Sequence, residues 1–152
     1  MRRSDRLMSQ EDTLRVLKEG NYGILATVDA ERHPYGVPLS YVYVDDCIYF
    51  HSTSEGGGKY NNIKYNNIVC FTVVGKTKIL PDKFGTLYES AIAFGEAELV
   101  SDEEERLRAF REFLSKYCAD FINEGEKYIK AAAPKAMVIK IKIKNLTGKH
   151  RV

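Results

Sequence analysis

Short segments of apolar and β-branched residues alternate with polar turns along most of the chain. This pattern predicts six strands, over 22–28, 35–44, 47–52, 68–75, 88–100 and 136–146. The last strand alternates strictly, with isoleucines on one face and lysines on the other, which is typical of a strand with one buried face. Segment 68–75 is almost continuously apolar, and this favours burial on both of its faces. Asp45-Asp46 is short enough to join two of the strands as a hairpin.

Helical spacing marks several of the segments between the strands. Ser9, with an acidic residue three positions on, predicts a helix start, and Gly20 predicts a left-handed end to that helix. A capping box at Ser101 precedes a longer apolar stripe at helical spacing. Shorter helices are predicted over 59–65 and before Pro134.

Clustered strands with helices at the periphery predict a mainly β fold with an antiparallel sheet rather than βαβ units. A small barrel is favoured because closure removes the exposed edges of so many strands. Pro38 interrupts one strand, as expected at a barrel corner or at an opening beside a ligand, and Gly95 predicts a bend in the fifth strand. Since repeats, linkers and low-complexity tracts are missing from the sequence, residues 1–152 are interpreted as one domain.

Charge and cysteine content narrow the class of protein. The chain has 23 basic and 21 acidic side chains, a net charge of +2, which is too small to indicate a nucleic-acid partner by itself. No segment approaches the roughly 20 consecutive apolar residues that span a bilayer, and the first ten residues do not resemble a signal peptide. The three cysteines lie far apart and form no disulfide or zinc pattern. We therefore expect a cytoplasmic protein without a membrane or nucleic-acid partner.

Metal-assisted and nucleophilic catalysis find little support in the sequence. His33, His51 and His150 are dispersed and show none of the spacings typical of metal ligands, so no metal site is expected. Cys70 lies within a strand, where it is interpreted as a small buried hydrophobe, and a GxSxG motif is missing.

The segment from His51 to Lys59 has the composition of an anion site. A strand ends in His-Ser, three glycines follow, and a lysine opens a predicted helix. Glycine backbone N–H groups and a helix N-terminus attract phosphate, and a lysine adds a full charge. The segment is not a Walker A motif, because Lys59 is followed by Tyr. The alternative is a flexible surface loop.

The C-terminal segment is basic, with six Lys or Arg and no acidic residue over 135–152. We interpret the alternating lysines Lys140, Lys142 and Lys144 as a solvated strand face that also discourages edge-to-edge aggregation. A nucleic-acid patch or a field that steers anionic cofactors is the alternative.

Several of these segments, taken in order, are found together in one protein family. YGILATVD, HPYGVPLSYVY, IYFHS, a glycine-containing loop with Lys59, and YESAIAFGEAELV follow one another along the chain. In this combination the sequence resembles the 5-nitroimidazole resistance reductases, which belong to the pyridoxamine 5′-phosphate oxidase-like flavoproteins. The resemblance covers nearly the whole chain. One departure is that the loop reads Glu55-Gly56-Gly57-Gly58-Lys59, where the family commonly has His before the lysine.

The resemblance implies a six-stranded antiparallel split β-barrel that binds FMN, as a homodimer with the flavin in clefts at the subunit interface. By position it implies that His51, Ser52 and Lys59 hold the FMN phosphate and ribityl chain. Four consecutive residues would lie along the isoalloxazine ring: Pro38, Leu39, Ser40 and Tyr41. Four more on two other strands would face the flavin of either subunit: Ala26, Thr27, Glu89 and Ser90. Among the ten tyrosines, Tyr41 is the one expected beside the flavin.

The function expected from the resemblance is a flavin-dependent oxidoreductase. It would pass electrons from a reduced small-molecule donor to a small acceptor such as a nitroaromatic compound. Because the flavin carries the electrons, no side chain is needed as an acid–base catalyst, and none is assigned. Two alternatives remain open: a non-catalytic flavin or haem carrier of the same fold, and a nucleic-acid-binding barrel that uses the C-terminal lysines.

Overall fold

The computed structural model describes residues 4–53, 57–133 and 136–152. Within these ranges, seven antiparallel strands form one sheet in the order β2-β1-β5-β6-β7-β4-β3. The strands are β1 (Gly23–Val28), β2 (Pro34–Leu39), β3 (Val42–Val44), β4 (Cys47–Thr53), β5 (Ile68–Leu80), β6 (Gly85–Leu99) and β7 (Ala136–Arg151). The helices are α1 (Gln10–Glu19), α2 (Gly58–Tyr65), α3 (Glu103–Tyr117) and α4 (Ile122–Ala132), with short 3₁₀ turns at Ser4–Arg6, Pro81–Lys83 and Ala119–Phe121. No helix in the described ranges is long and apolar enough to cross a bilayer.

The mainly β architecture is confirmed, but the count of six strands is wrong, because the predicted strand 35–44 is two strands. β2 pairs with β1 as far as Leu39, and β3 pairs with β4 from Val42 onwards. Between them the backbone N–H of Tyr41 donates to the Tyr117 hydroxyl oxygen at 3.1 Å rather than to a neighbouring strand. Pro38 lies on β2, at the edge of the sheet, where a strand tolerates proline best.

The sheet curls so that its two edge strands, which are consecutive in the chain, enclose a common core. The buried Tyr41 ring packs edge-on against Phe71 of β5, with ring centroids 4.9 Å apart. The same core contains fully buried residues from other strands and from α1: Leu17, Leu25, Ile48, Phe50, Val73, Ile139 and Ile141. The hydrophobic interior is therefore shared by both halves of the sheet.

The prediction that 68–75 is buried on both faces is wrong. Val69 and Phe71 are buried, whereas Ile68 and Val74 remain 66% and 56% exposed. Cys70 is only half-buried, with its sulfur 4.0 Å from the Thr72 hydroxyl. β5 thus has one buried face and one apolar face directed outward.

Glycines permit two close approaches that shape the barrel. At Gly95 the pairing of β6 with β7 shifts register, and a Cβ there would lie 2.3 Å from the Lys142 carbonyl oxygen. Gly20 ends α1, but with φ −62° its conformation is not left-handed as predicted. Glycine is required there by space, because a Cβ would lie 2.4 Å from Val73 and 2.7 Å from the Tyr41 hydroxyl.

The helix starts follow the capping rules with one shift of position. The Ser9 hydroxyl oxygen accepts the Asp12 N–H at 3.0 Å, as expected for an N-cap. On α3 the cap is Asp102 rather than Ser101, and its carboxylate accepts the Glu105 N–H at 2.7 Å. α3 then buries Ala109 and Phe113 against the outer side of β3, β4 and β7. Pro134, before which the last helix was predicted to end, lies outside the described residues.

Candidate functional site

A cleft of about 670 Å³ lies between β4, α3 and α4. Its volume is within the range of roughly 300–1,000 Å³ that is usual for small-ligand sites. Its walls are mostly aromatic and aliphatic: Phe110, Phe113, Leu114, Tyr117, Phe121, Tyr128 and Ile129. Polar groups are few, and they include Ser40, His51, Cys118 and Glu124. Such a cleft suits a flat, largely apolar ligand held at a few polar points.

α4 can approach α3 closely because it carries a glycine at the contact. A Cβ on Gly125 would lie 2.0 Å from a Leu114 methyl carbon. Leu114 and Ile129 form a small buried cluster there, and the Arg111 guanidinium pairs with Glu126 at 3.0 Å. Beyond this contact Tyr128 remains 73% exposed, although it lines the cleft. The cleft therefore has large apolar side chains that nothing in the described chain covers.

His51 lies at the end of β4 and faces the aromatic wall of the cleft. Its ring centroid is 4.9 Å from that of Phe113, in an edge-on arrangement, and 6.1 Å from that of Phe110. Desolvation by these surroundings lowers the pKa of His51, and the positive charge of Lys59 lowers it further. The imidazole is therefore neutral near pH 7 and offers one N–H donor and one acceptor. Ser52, next along the strand, is buried on the opposite face.

The first turn of α2 is open to an anion. Gly57 caps the helix without a side-chain hydrogen bond, and a Cβ on Gly57 or Gly58 would meet nothing within 4 Å. Lys59 is half-buried on this turn, close enough to affect the pKa of His51. Uncapped N–H groups, a helix N-terminus and a lysine together attract phosphate. The remainder of the glycine segment, 54–56, lies outside the described residues.

A polar contact fastens α2 to the barrel. The buried Asn62 amide donates to the Thr27 hydroxyl at 3.0 Å, so this predicted site residue contacts α2 from inside the barrel. Ala26, its neighbour on β1, is exposed on the outer face of the sheet. These two residues point in opposite directions and do not line the cleft.

The junction between β2 and β3 brings Ser40 to the cleft and Tyr41 to the core. The Tyr41 ring is fully buried, and its hydroxyl donates to the Leu17 carbonyl oxygen. The Tyr41 carbonyl oxygen lies 2.8 Å from the Tyr117 hydroxyl and 3.0 Å from the Lys116 amine. The position expected beside the flavin therefore has a side chain that no ligand in the cleft can reach. Its backbone groups are already bonded to α3.

Lys116 is the other half of this junction. Its amine donates to the Gly20 carbonyl oxygen at 2.7 Å and lies 4.1 Å from the centroid of the Tyr41 ring. Burial lowers its pKa to about 8. The last turn of α3 thus ties the wall of the cleft to the end of α1.

The remaining predicted site residues are distributed over other parts of the barrel. Pro38 is exposed on the edge strand, and Leu39 packs against the main core. The Glu89 carboxylate is held by Arg15 of α1 at 2.8 Å, which lowers the pKa of Glu89. The Ser90 hydroxyl donates to the Lys149 carbonyl oxygen at 3.4 Å. None of these four lines the cleft in this chain, so only Ser40 and His51 of the predicted set do.

The lysines of the last strand are neutralised by neighbouring acidic residues. Lys140 lies 2.8 Å from Glu105 and 3.2 Å from Glu98. Lys142 also pairs with Glu98 at 2.9 Å, and Lys144 lies 3.5 Å from Glu96. These pairs support the interpretation as a structural strand face and weaken the nucleic-acid alternative.

Potential metal ligands come together at the turn between β1 and β2. Ligand atoms of Asp29, Glu31 and His33 lie within 4.8 Å of one another. The Asp29 carboxylate already accepts the His33 backbone N–H at 2.8 Å and lies 3.1 Å from the His33 ring. The contacts within this turn explain why the three side chains lie close together, and the expectation of no metal site stays a prediction.

Sequence reasoning did not identify the aromatic residues of α3 and α4 as part of a site. The apolar stripe predicted after Ser101 includes Phe110 and Tyr117, and the sequence pattern assigns no role to Phe121 and Tyr128. The high density of aromatic residues over 110–128 is the feature of the sequence that could have indicated a binding site. Helical spacing alone does not distinguish a side chain that faces a core from one that faces a cleft.

Comparison with known proteins identifies relatives of the whole chain. A model of the pyridoxamine 5′-phosphate oxidase family matches residues 9–150. No curated protein matches the sequence significantly. A proposed 5-nitroimidazole antibiotic resistance protein from Bacteroides thetaiotaomicron is 26% identical. It superposes with a TM-score of 0.80, over 95% of this chain and 86% of that chain.

Two further solved structures share the fold at lower identity. A FAD-binding protein from Mesorhizobium loti is 22% identical, with a TM-score of 0.70 over 97% of this chain and 98% of that one. A flavocytochrome from Azotobacter vinelandii is 21% identical, with a TM-score of 0.75 over 95% of this chain and 68% of that one. The curled antiparallel sheet is thus the split barrel of these proteins.

Proposed function

Because the chain belongs to the pyridoxamine 5′-phosphate oxidase family, we propose that it is an FMN-dependent oxidoreductase. It would transfer electrons from a reduced small-molecule donor to a small aromatic acceptor such as a nitroaromatic compound. The observation that carries this proposal is that His51 lines the aromatic cleft and lies close enough to Lys59, in the anion-attracting first turn of α2, for the lysine charge to lower the pKa of His51. The flavin-binding proteins among the structural neighbours support it.

The groups present fit the chemistry of FMN. The phosphate requires a cation and backbone donors, and Lys59 and the uncapped first turn of α2 offer both. The flavin ring requires a flat apolar surface with polar groups at its edge, and the cleft offers Phe113 and Phe110 with Ser40 and His51. When bound, FMN supplies the electron-carrying ring, so the protein needs to bind, orient and shield it.

Each of these residues then has a definite task. Lys59 holds the negative charge of the phosphate. His51, neutral near pH 7, donates or accepts one hydrogen bond without adding a second positive charge. The rings of Phe110 and Phe113 exclude water from one side of the site. The junction at Ser40 is kept in place by the bonds of Tyr41 to Tyr117 and Lys116.

We also propose that the protein acts as a homodimer in which the second copy covers the outer face of β1, β5 and β6. Exposed apolar residues from three adjacent strands share this face: Ile24, Ile68, Val74 and Phe94. An exposed apolar patch of this kind is typical of a subunit interface. Pro38 and Ala26 lie beside it, because they pair with Ile24 and Cys70 in the sheet. The interface would bring these residues next to the partner, and sedimentation equilibrium would measure the dimer mass.

A cytoplasmic location belongs to the same proposal. Cys47, Cys70 and Cys118 are all free thiols, as in a reducing compartment.

Titration with FMN tests the flavin site. Lys59→Gln should weaken binding by about tenfold or more, because a charge-assisted bond to phosphate is lost. Lys64→Gln is the matched control, since Lys64 lies in the last turn of the same helix. Its affinity should stay within about twofold, because the favourable potential for an anion is confined to the first turn. Equal losses in the two variants, or a wild-type protein that binds no FMN, would contradict the proposal.

One observation favours a carrier over an enzyme as the second candidate. The position before Lys59 is Gly58, and open space surrounds it, so no side chain there can contact an acceptor. Reduction of the FMN-loaded protein by NADH or NADPH, followed by reoxidation with a nitroaromatic compound, separates the two. Repeated turnover supports the oxidoreductase, and a flavin that is neither reduced nor reoxidised supports the carrier.

A further inference from the structure

Positive side chains from three parts of the chain meet at the end of β7 that lies farthest along the strand from the cleft. We call this group the cationic patch. Its members are Arg6, Lys76, Lys78, Lys149 and Arg151. The sheet register places Arg151 and Thr77 on either side of Tyr88 of β6, and Lys76 and Lys78, which flank Thr77, line a cavity together with Arg151.

The basic residues in the two halves of β7 differ in whether they have an acidic partner. In the first half Lys140, Lys142 and Lys144 each have a glutamate within 3.5 Å. In the second half Lys149 and Arg151 have no such ion pair within the described residues. Like charges placed side by side repel each other, and an anionic partner would relieve that repulsion.

The acidic residues at this end do not cancel the patch. Asp5 and Glu89 are the two that line its cavities. Glu89 pairs with Arg15, outside the patch, at 2.8 Å, and it also interacts with Lys76 of the patch, which further lowers its pKa. Cations therefore remain in excess around both cavities.

Tyr88 lies at the centre of the patch and reports its positive potential. An Arg6 guanidinium nitrogen donates to the Tyr88 hydroxyl oxygen at 3.4 Å. The Lys149 amine lies 5.9 Å from the centroid of the Tyr88 ring. The hydrogen bond from Arg6 is the main cause that lowers the pKa of Tyr88, and Lys149 contributes to it.

The Arg151 guanidinium lies over Gly85 of β6, where a Cβ would be 2.5 Å from one of its nitrogens. The planar guanidinium can bind two phosphate oxygens at once, which a lysine does not do. Arg151 is therefore the member of the patch best suited to a phosphate.

Two cavities open beside Arg151, with volumes of about 280 and 270 Å³. They share Arg151 and Val152. Each is just below the usual size of a complete small-ligand site, roughly 300 Å³ and above. Each would therefore suit an anionic group, with the rest of a larger ligand outside, against the Tyr88 ring.

We propose that the cationic patch binds the diphosphate of a nucleotide, at a site separate from Lys59. The phosphate oxygens would accept hydrogen bonds from Arg151, Lys149 and Arg6, and the Tyr88 ring would contact the base or sugar. Dinucleotide electron donors belong to this chemical class. The site is nevertheless defined by residues that do not line the cleft, so it stands whether or not the cleft binds FMN.

Titration calorimetry with ADP tests this inference, on wild-type protein saturated with FMN and at low salt. Arg151→Gln and Lys149→Gln should each weaken ADP binding about fivefold or more, as expected for loss of a charged hydrogen bond. Lys142→Gln removes the same charge from the same strand and should stay within about twofold. Adenosine, which lacks phosphate, should bind far more weakly than ADP, and added salt should weaken ADP further.

Four results would overturn the inference. The first is equal weakening by the patch variants and by Lys142→Gln, which would indicate net charge alone. The second is a wild-type protein that shows no saturable ADP binding. The third is competition between FMN and ADP, which would place the patch in the flavin site. The fourth is duplex DNA that binds through Arg151 and Lys149 while ADP does not, which would indicate a nucleic-acid surface. Melting temperatures of the variants, whose exchanged residues are partly exposed, provide the check on folding.

Discussion

Two of the helical parts of the molecule, α1 and the pair α3 and α4, contact the barrel in opposite ways. α1 closes one end of the interior, where Leu17 is fully buried and Val16 is 2% exposed. α3 and α4 pack on the outside of β4 and leave a cleft of about 670 Å³, with Tyr128 73% exposed beside it. The first contact buries its apolar side chains, and the second leaves apolar surface in water.

The difference indicates that α1 contributes mainly to the stability of the fold and that the wall of the cleft contributes mainly to ligand binding. Burial of apolar side chains is the main stabilising contribution, and Val16 and Leu17 of α1 belong to the main buried core. Exposed aromatic side chains around a cleft contribute little to folding but offer surface to a ligand. We therefore expect substitutions near α1 to change the free energy of unfolding, and substitutions at the outer wall of the cleft to change ligand affinity.

The largest expected effect is on α1. Leu17→Ala removes a fully buried side chain and should lower the free energy of unfolding by about 2–5 kcal/mol. For a chain of this size that corresponds to a fall of about 4–20 °C in melting temperature, measured by calorimetry. The FMN affinity of the folded fraction should not change, since Leu17 does not line the cleft. A melting temperature within 2 °C of wild type would show that α1 is not a principal source of stability.

Much of the barrel could be predicted because it follows from local patterns. The alternation of Ile139 and Ile141 with lysines predicts the buried face of β7, and both isoleucines are fully buried. The break at Ser40 and Tyr41 could not be predicted in the same way. It depends on Tyr117, which is 76 residues away in sequence and bonds to the Tyr41 backbone.

The candidate site was only partly predictable, for a similar reason. His51 and the glycines before Lys59 form a local pattern in the sequence, and the structure places His51 in the lining of the cleft. The wall formed by Phe113 and Tyr128 depends on how two helices pack on the barrel. Their aromatic residues have the same spacing that a buried helix would have.

An intermediate effect is expected at Lys116, which joins α3 to the end of α1. Its pKa is about 8 in the folded protein because burial disfavours the charge, against an ordinary value of 10.5. Between these two values the unfolded chain binds more protons, so the free energy of unfolding should rise with pH. Urea unfolding from pH 7.5 to 9.5 should show wild type gaining on the order of 1 kcal/mol relative to Lys116→Met.

The control for this pH dependence is Lys127→Met, which removes a charge from an exposed site on α4. With rising pH, the free energy of unfolding of wild type should increase relative to that of Lys116→Met but not relative to that of Lys127→Met. If the free energies of unfolding of wild type and Lys116→Met instead change in parallel with pH, Lys116 is not desolvated in solution. The junction between the two regions would then be looser than in the structure.

The smallest effect on stability is expected at the cleft, where Tyr128→Ser should change the free energy of unfolding by at most about 0.5 kcal/mol. Its ring is mostly in water in the free protein, so its removal exposes little new surface. A nitroaromatic ligand should nevertheless bind about two- to tenfold more weakly, because a stacking partner is lost.

Tyr65→Ser is the matched control, since Tyr65 is 60% exposed and does not line the cleft. Equal affinities in the two variants would mean that the exposed aromatic wall does not bind the acceptor. A loss of stability as large as that of Leu17→Ala would mean that both regions serve the fold alike, because α4 would then be buried against a second copy in solution.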